Sequence, residues 1–203
     1  MPLAPVERDS ALAWTHATLP RTTTAIRFRW RYEDERVKYA GRGSARIAPP
    51  DSARLDVSAA LGVASGAGVV VDDTMVWGRP EDLLARFVPN YDLMWAMFGV
   101  ARVPPPGATI TGAERAGERA WRYAHGGDTL IYRLTSGDPA LLEAEVRRGS
   151  DVIGRVETRL GSAGLPTSTR LVVPSGPARL DITFENIESV APFPPDLWVP
   201  GQP

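Results

Sequence analysis

Residues 26–32 alternate strictly between apolar and arginine side chains. The two sets are the apolar residues Ile26, Phe28, Trp30 and Tyr32 and the basic residues Arg27, Arg29 and Arg31. Because successive side chains of a β-strand point to opposite faces, this period of two places four large apolar groups on one sheet face and three guanidinium groups on the other. One buried face and one solvated face are typical of an antiparallel sheet.

The same alternation recurs in short segments as far as Phe184, and turn signals separate these segments. The 203 residues include 19 glycines and 19 prolines, which is too many for a helical bundle and typical of short strands joined by turns. Clear turn signals are Pro49-Pro50-Asp51, Asp72-Asp73 and residues 125–128. The pattern predicts an antiparallel meander of about ten strands.

One stretch, at about residues 80–100, breaks this rhythm and predicts a helical insert. Pro80 followed by two acids is a good helix start, and Asn90 or Asp92 can cap a second helical piece. That second piece is apolar almost all round, so it must be buried or must cover an apolar surface. A further helix is expected near the N-terminus, where Trp14 and Leu19 could pack on the sheet.

The strand pattern continues on both sides of the insert, so the sequence gives no sign of an internal domain boundary. We therefore expect a mainly β (α+β) fold with a flexible N-terminal segment, residues 1–10, and one domain over residues 11–203. The segment 1–5 lacks the basic and apolar regions of a signal peptide. That fits either a cytoplasmic protein or a mature chain from which an export signal has been removed.

The composition excludes several classes of chemistry. The chain has no cysteine and two histidines, and its 23 basic residues balance 24 acidic ones. Disulfides, thiolate metal sites and cysteine nucleophiles are therefore excluded, and a histidine relay has almost no material. A net charge of −1 gives no field for general binding to nucleic acid. We expect no catalytic residues, no metal and no cofactor.

Three polar motifs are better explained by structure than by chemistry. The glycine-rich run at 62–68 lacks the Lys-Ser/Thr ending of a phosphate-binding loop, and a strand follows it. Asp72-Asp73 is sufficient as a hairpin turn and has no further acid at the spacing of a cation loop. The arginine row at 27, 29 and 31 is interpreted as a solvated face, with an anionic partner as the alternative.

The feature with functional content is apolar. Ile26, Phe28, Trp30 and Tyr32 lie on one sheet face, and the insert presents Leu93, Met94, Met97 and Phe98. Two interpretations stay open: a filled core that the insert covers, or an apolar cavity for lipid with the insert as its lid. Methionine and aromatic side chains suit a cavity because flexible, polarizable walls adapt to acyl chains.

The order of these elements resembles the bacterial lipoprotein-carrier superfamily, with its LolA-like periplasmic carriers and LolB-like outer-membrane receptors. The resemblance rests on the Phe28-x-Trp30 strand, the Gly41-x-Gly43 strand, the segment 50–56, the hairpin at 69–77 and the mid-chain helical insert. It covers roughly residues 12–198. It implies an incomplete antiparallel barrel wrapped around helices, with an apolar cavity for acyl chains.

The resemblance also implies a function. We expect non-catalytic binding and carriage of an acylated ligand, either lipoprotein acyl chains or another lipid, in the cell envelope. The binding residues would be Ile26, Phe28, Trp30, Tyr32, Leu93, Met94, Met97 and Phe98. The protein would act as a monomer in the periplasm or at the periplasmic face of the outer membrane, after removal of its export signal. The alternative is a structural or protein-interaction module of the envelope with a filled core and an envelope protein as its partner.

Overall fold

The computed structural model of the protein describes residues 2–60, 65–72, 74–80, 84 and 90–199. The strands in these residues are β1 (Ala4–Pro5), β2 (Thr24–Glu33), β3 (Lys38–Ala48), β4 (Ser52–Ala59), β5 (Ser65–Val71), β6 (Thr74–Arg79), β7 (Thr109–Arg115), β8 (Glu118–His125), β9 (Asp128–Thr135), β10 (Ala140–Arg148), β11 (Asp151–Leu160), β12 (Pro166–Val173) and β13 (Ala178–Ser189). The helices are α1 (Arg8–His16) and α2 (Tyr91–Met97), and a short 3₁₀ helix spans Pro195–Trp198.

The thirteen strands of the described residues form one antiparallel sheet that does not close into a barrel. Its order is β1-β7-β8-β9-β10-β11-β12-β13-β2-β3-β4-β5-β6. Two meanders, β2–β6 and β7–β13, therefore lie on either side of the helical insert in the chain, and they join where β13 pairs with β2. This architecture confirms the mainly β fold and the incomplete barrel with an inserted helix.

Two strands were not anticipated by the sequence pattern. Ala4 and Pro5 of β1 pair with Gly112 and Thr111 of β7, and α1 begins at Arg8, inside the segment expected to be flexible. β7 has the sequence Thr-Ile-Thr-Gly-Ala-Glu-Arg, in which small and polar residues hide the alternation. The sheet consequently has more strands than the expected ten or so.

The insert is described only in its second half. α2 occupies the predicted second piece, and the predicted first piece lies outside the described residues except for Pro80 and Leu84. Residues 61–64 of the glycine-rich run, Asp73 of the predicted turn and residues 200–203 of the tail also lie outside them. The hairpin itself is confirmed, because β5 and β6 pair on either side of the turn and Asp72 has a φ of 58°.

The core lies on the concave side of the sheet, as the alternation in β2 predicts. Ile26, Phe28 and Trp30 are 2–3% exposed, whereas the intervening arginines are exposed. The expected N-terminal helix is confirmed as α1, and its Trp14 packs 5.9 Å from the ring of Trp121. In the described part of the chain, no helix is long and apolar enough to cross a membrane.

Candidate ligand-binding site

The eight side chains predicted to line the site all belong to one buried apolar cluster. Their exposed fractions range from 0% for Leu93 and Met94 to 8% for Tyr32. β2 supplies Ile26, Phe28, Trp30 and Tyr32, α2 supplies Leu93, Met94 and Met97, and Phe98 follows the last residue of α2. The fold thus brings the two predicted halves of the site together.

The aromatic rings of β2 fit because the neighbouring strand carries glycine opposite them. Phe28 is paired with Gly43, and Trp30 is paired with Gly41. A Cβ atom at Gly43 would lie 2.5 Å from the Phe28 ring, and one at Gly41 would lie 2.7 Å from the Trp30 ring and overlap the carbonyl oxygen of Ser58. The Gly-x-Gly motif therefore provides the space that the two rings occupy.

Helix α2 lies over β10, β11 and β12. The Asn90 side chain caps it by accepting a hydrogen bond from the Leu93 amide at 3.1 Å, and Gly99, with a φ of +80°, follows its C-terminal end. The Thr158 hydroxyl donates to the Ala96 carbonyl at 2.8 Å. A Cβ atom at Gly154 would lie 2.6 Å from Leu93 Cδ1, so α2 sits directly on the sheet.

Three phenylalanine rings connect the helix to β2 and β13. The ring centroids of Phe28 and Phe98 lie 6.0 Å apart, and Phe184 of β13 lies 6.4 Å from Phe28 and 6.0 Å from Phe98. Such edge-to-face pairs add to the stabilisation that burial provides. Phe184 was missing from the predicted site, although its alternation with Leu180 and Ile182 marks it as facing inward.

Side chains fill the space between α2 and the sheet. Four cavities lined by described residues have volumes of about 910, 450, 430 and 340 Å³. Trp30 is the one predicted site residue among their linings. An acyl chain can therefore enter the buried cluster only if α2 moves away from the sheet.

The largest of these cavities lies on the charged, convex side of the sheet. Arginine and acidic side chains of neighbouring strands line it and form ion pairs there, such as Arg29 with Glu185 and Arg170 with Asp181. Arg27 lies 3.9 Å from Glu188. These exposed pairs contribute little to stability individually, and they keep the convex face soluble.

The 430 Å³ cavity, which we call the Arg102 cavity, lies beside the N-terminal end of α2. Arg102 is only 6% exposed. It pairs with the carboxylate of Asp72, donates to the Pro50 carbonyl at 3.3 Å and stacks on the Trp95 ring at 5.0 Å. Burial lowers the pKa of the Arg102 guanidinium, and the neighbouring Tyr132 and Asp51 oppose this shift.

Sequence reasoning missed Arg102, although a signal was present. Residues 93–103 contain a single charged side chain in an otherwise uncharged, largely apolar run. A charge in such a run must be carried into the interior with its neighbours and needs partners there. Those partners come from Pro50 and Asp72, which are distant in sequence, so the pairing could not be read from the local pattern.

Two buried tyrosines close the other side of α1 and the insert. The Tyr123 hydroxyl lies 2.8 Å from the Thr15 hydroxyl, and the Tyr132 hydroxyl accepts from the Arg102 amide at 2.9 Å. Burial raises the pKa of Tyr123 to about 12, against an opposing effect of the Thr15 hydrogen bond. Burial also raises the pKa of Tyr132 well above its usual range.

We expect the protein to lose stability in alkali through these tyrosines. Between pH 10 and about 12 the unfolded chain releases the Tyr123 proton and the folded chain retains it, so the free energy of unfolding falls as pH rises. The Tyr123→Phe variant should show a slope shallower by about 1.4 kcal/mol per pH unit in that window. Denaturant titrations at several pH values measure this slope. Tyr39→Phe, at an exposed position, should leave it unchanged, and an unchanged slope for Tyr123→Phe would contradict the assignment.

No group of three or more histidine, aspartate or glutamate side chains in the described ranges could hold a metal ion. The clustered side chains around α2 are apolar, and they can bind apolar groups but offer no reactive set. The chemistry available at this site is therefore burial of apolar surface.

Comparison with known proteins identifies the fold. No protein-family model and no curated protein matches the sequence. A LolA superfamily protein from Nitrosomonas europaea has a similar structure, with a TM-score of 0.61 and 11% identity, over 96% of this chain and 98% of that chain. A putative outer membrane lipoprotein-sorting protein domain from Vibrio parahaemolyticus gives a TM-score of 0.59 at 6% identity, over 95% and 97% of the two chains.

Proposed function

We propose that this protein, whose fold is LolA-like, binds the acyl chains of a lipid or lipoprotein between α2 and the concave face of the sheet. The observation that carries the proposal is the buried apolar cluster that α2 and β2 share within this fold. The ligand-binding residues are those predicted from the sequence: Ile26, Phe28, Trp30, Tyr32, Leu93, Met94, Met97 and Phe98. The role is non-catalytic, and the place of action is the periplasm or the periplasmic face of the outer membrane.

The driving force for binding is the transfer of methylene groups from water into the cluster. Each buried methylene contributes about 0.8 kcal/mol, so a long acyl chain can offset the cost of moving α2. Few polar contacts hold the helix, among them the bonds from Thr158 to Ala96 and from the Trp95 indole to the Asp72 carbonyl. The helix moves, the apolar sheet face opens, and the acyl chain replaces the contacts of the helix with the sheet.

Native mass spectrometry of the gently purified protein, followed by organic extraction, tests the proposal. We expect adducts with the mass of an acyl lipid that extract into organic solvent. A fluorescent fatty-acid probe should bind saturably to the delipidated protein. A clean unliganded mass together with no binding of the probe at saturating concentration would overturn the proposal.

The arginine face provides a matched control for this experiment. Arg27 and Arg29 are exposed on the convex side, opposite the buried cluster. We expect the Arg27→Ser/Arg29→Ser double variant to bind the probe with unchanged affinity, because the ligand does not contact this face. A large loss of affinity would place the ligand on the charged side of the sheet.

One observation favours a second function, that of a structural or protein-interaction module of the envelope. The predicted site residues are at most 8% exposed, as expected for a filled core. Such a module would bind an envelope protein through its surface, and the core would serve stability alone. Failure of lipid binding in the experiment above, with the protein fully folded, would favour this function.

A further inference from the structure

The Arg102 cavity combines charged groups and apolar surface in a way that the buried cluster does not. Asp72, Asp92 and Asp128 line it together with Arg102, and Leu130 and Val146 give it apolar walls. Its volume of about 430 Å³ lies in the range of small-ligand sites. Val146 belongs to the buried cluster and Leu130 packs against it, so the cavity is continuous with the proposed acyl site.

Arg102 supplies a fixed site for a ligand oxygen. Its side chain is 7% exposed, and the stack on Trp95 holds the plane of the guanidinium. Its described hydrogen bonds leave from Nη1 and Nη2, which use two of the five N–H donors of the group. A planar guanidinium with donors to spare matches the paired oxygens of a phosphate.

The carboxylates select against a ligand that is only anionic. Among the described residues that line the cavity, three are aspartates and one is an arginine. Asp128 is 43% exposed in its side chain and pairs with Arg148 outside the cavity at 2.8 Å. A net negative lining repels a second anion and attracts a cation placed beside it.

We propose that the Arg102 cavity binds the zwitterionic head group of a phospholipid-like amphiphile, with its phosphate on Arg102 and its ammonium group toward Asp128. The inference rests on the proposed function and specifies the ligand class. The acyl chain leaves the cavity along Leu130 and Val146 and enters the buried cluster. The head group thereby fixes the orientation in which the chain enters.

Three probes with the same acyl chain test the proposal by isothermal titration below their micelle concentrations. They are a lysophosphatidylethanolamine, a lysophosphatidylglycerol and a monoacylglycerol, whose head groups are zwitterionic, anionic and neutral. We expect the zwitterionic probe to bind at least tenfold more tightly than either of the others. Equal affinities for the three probes, or tightest binding of the anionic probe, would overturn the inference.

Two substitutions separate the roles of the charges. Arg102→Gln should reduce the affinity for the zwitterionic probe to that for the neutral one. Asp128→Asn should remove the preference for the zwitterionic over the anionic probe, and this exposed position can be changed even if Arg102→Gln does not fold. Asp151→Asn, at an exposed position outside the cavity, is the matched control and should leave all three affinities unchanged.

The outcomes distinguish this inference from the proposed function. Binding of all three probes with equal affinity, unaffected by Asp128→Asn, would overturn the head-group site and leave acyl binding intact. Absence of binding by every probe would overturn both.

Discussion

Replacing Trp95 by alanine is expected to lower the free energy of unfolding by about 3–5 kcal/mol. Trp95 is 1% exposed and is one of the largest fully buried side chains among the described residues. Its indole donates to the Asp72 carbonyl at 2.8 Å and stacks against Arg102. The substitution therefore leaves a large cavity under α2 and removes a partner from a buried charge.

Chemical denaturation followed by circular dichroism measures this loss, and two variants help to interpret it. Trp95→Phe keeps most of the buried volume and removes the indole hydrogen bond, so it should cost much less. Trp77→Ala changes a half-buried tryptophan whose indole donates to the Trp198 carbonyl of the C-terminal tail, and it should also cost less. A loss below about 1 kcal/mol for Trp95→Ala would mean that α2 is not part of the cooperative core.

The sequence contained most of the information about the sheet, and particular residues show why. Large apolar side chains in β2 alternate with arginines, so the buried face was evident without knowledge of the strand neighbours. β7 has Thr109, Thr111 and Gly112 in place of large apolar residues, and its place in the sheet depends on pairing with β8. Tertiary context, rather than its own pattern, makes it a strand.

The site could be predicted only as far as local pattern extends. The eight apolar residues were found because each lies in a segment with clear periodicity. Phe184 joins them through a pairing of β13 with β2 that connects distant parts of the chain. Arg102 depends on Asp72 and Pro50, and such long-range partners are set by the way the sheet closes around the insert.

The second large effect is expected in ligand affinity. Met97→Ala should lower the free energy of unfolding by about 2–5 kcal/mol, because Met97 is 2% exposed in the cluster between α2 and the sheet. If ligand binds only after α2 has moved, the same substitution destabilises the closed form relative to the open one. The apparent dissociation constant falls as the binding-competent fraction rises.

A destabilisation of the closed form by 1.4 kcal/mol corresponds to a factor of about ten in affinity. We therefore expect Met97→Ala to bind the fluorescent fatty-acid probe at least tenfold more tightly than the unmodified protein, as measured by titration at fixed protein concentration. Leu55→Ala is the matched control, since Leu55 is 5% exposed in β4, away from the strands that α2 covers. It should lose stability without gaining affinity.

The direction of the change decides between three arrangements. Tighter binding by Met97→Ala alone means that α2 competes with the ligand for the sheet face. Weaker binding means that Met97 contacts the ligand while α2 stays in place, which contradicts displacement of the helix. Unchanged affinity, with the expected loss of stability, means that the buried cluster is core alone and that any ligand binds elsewhere on the protein.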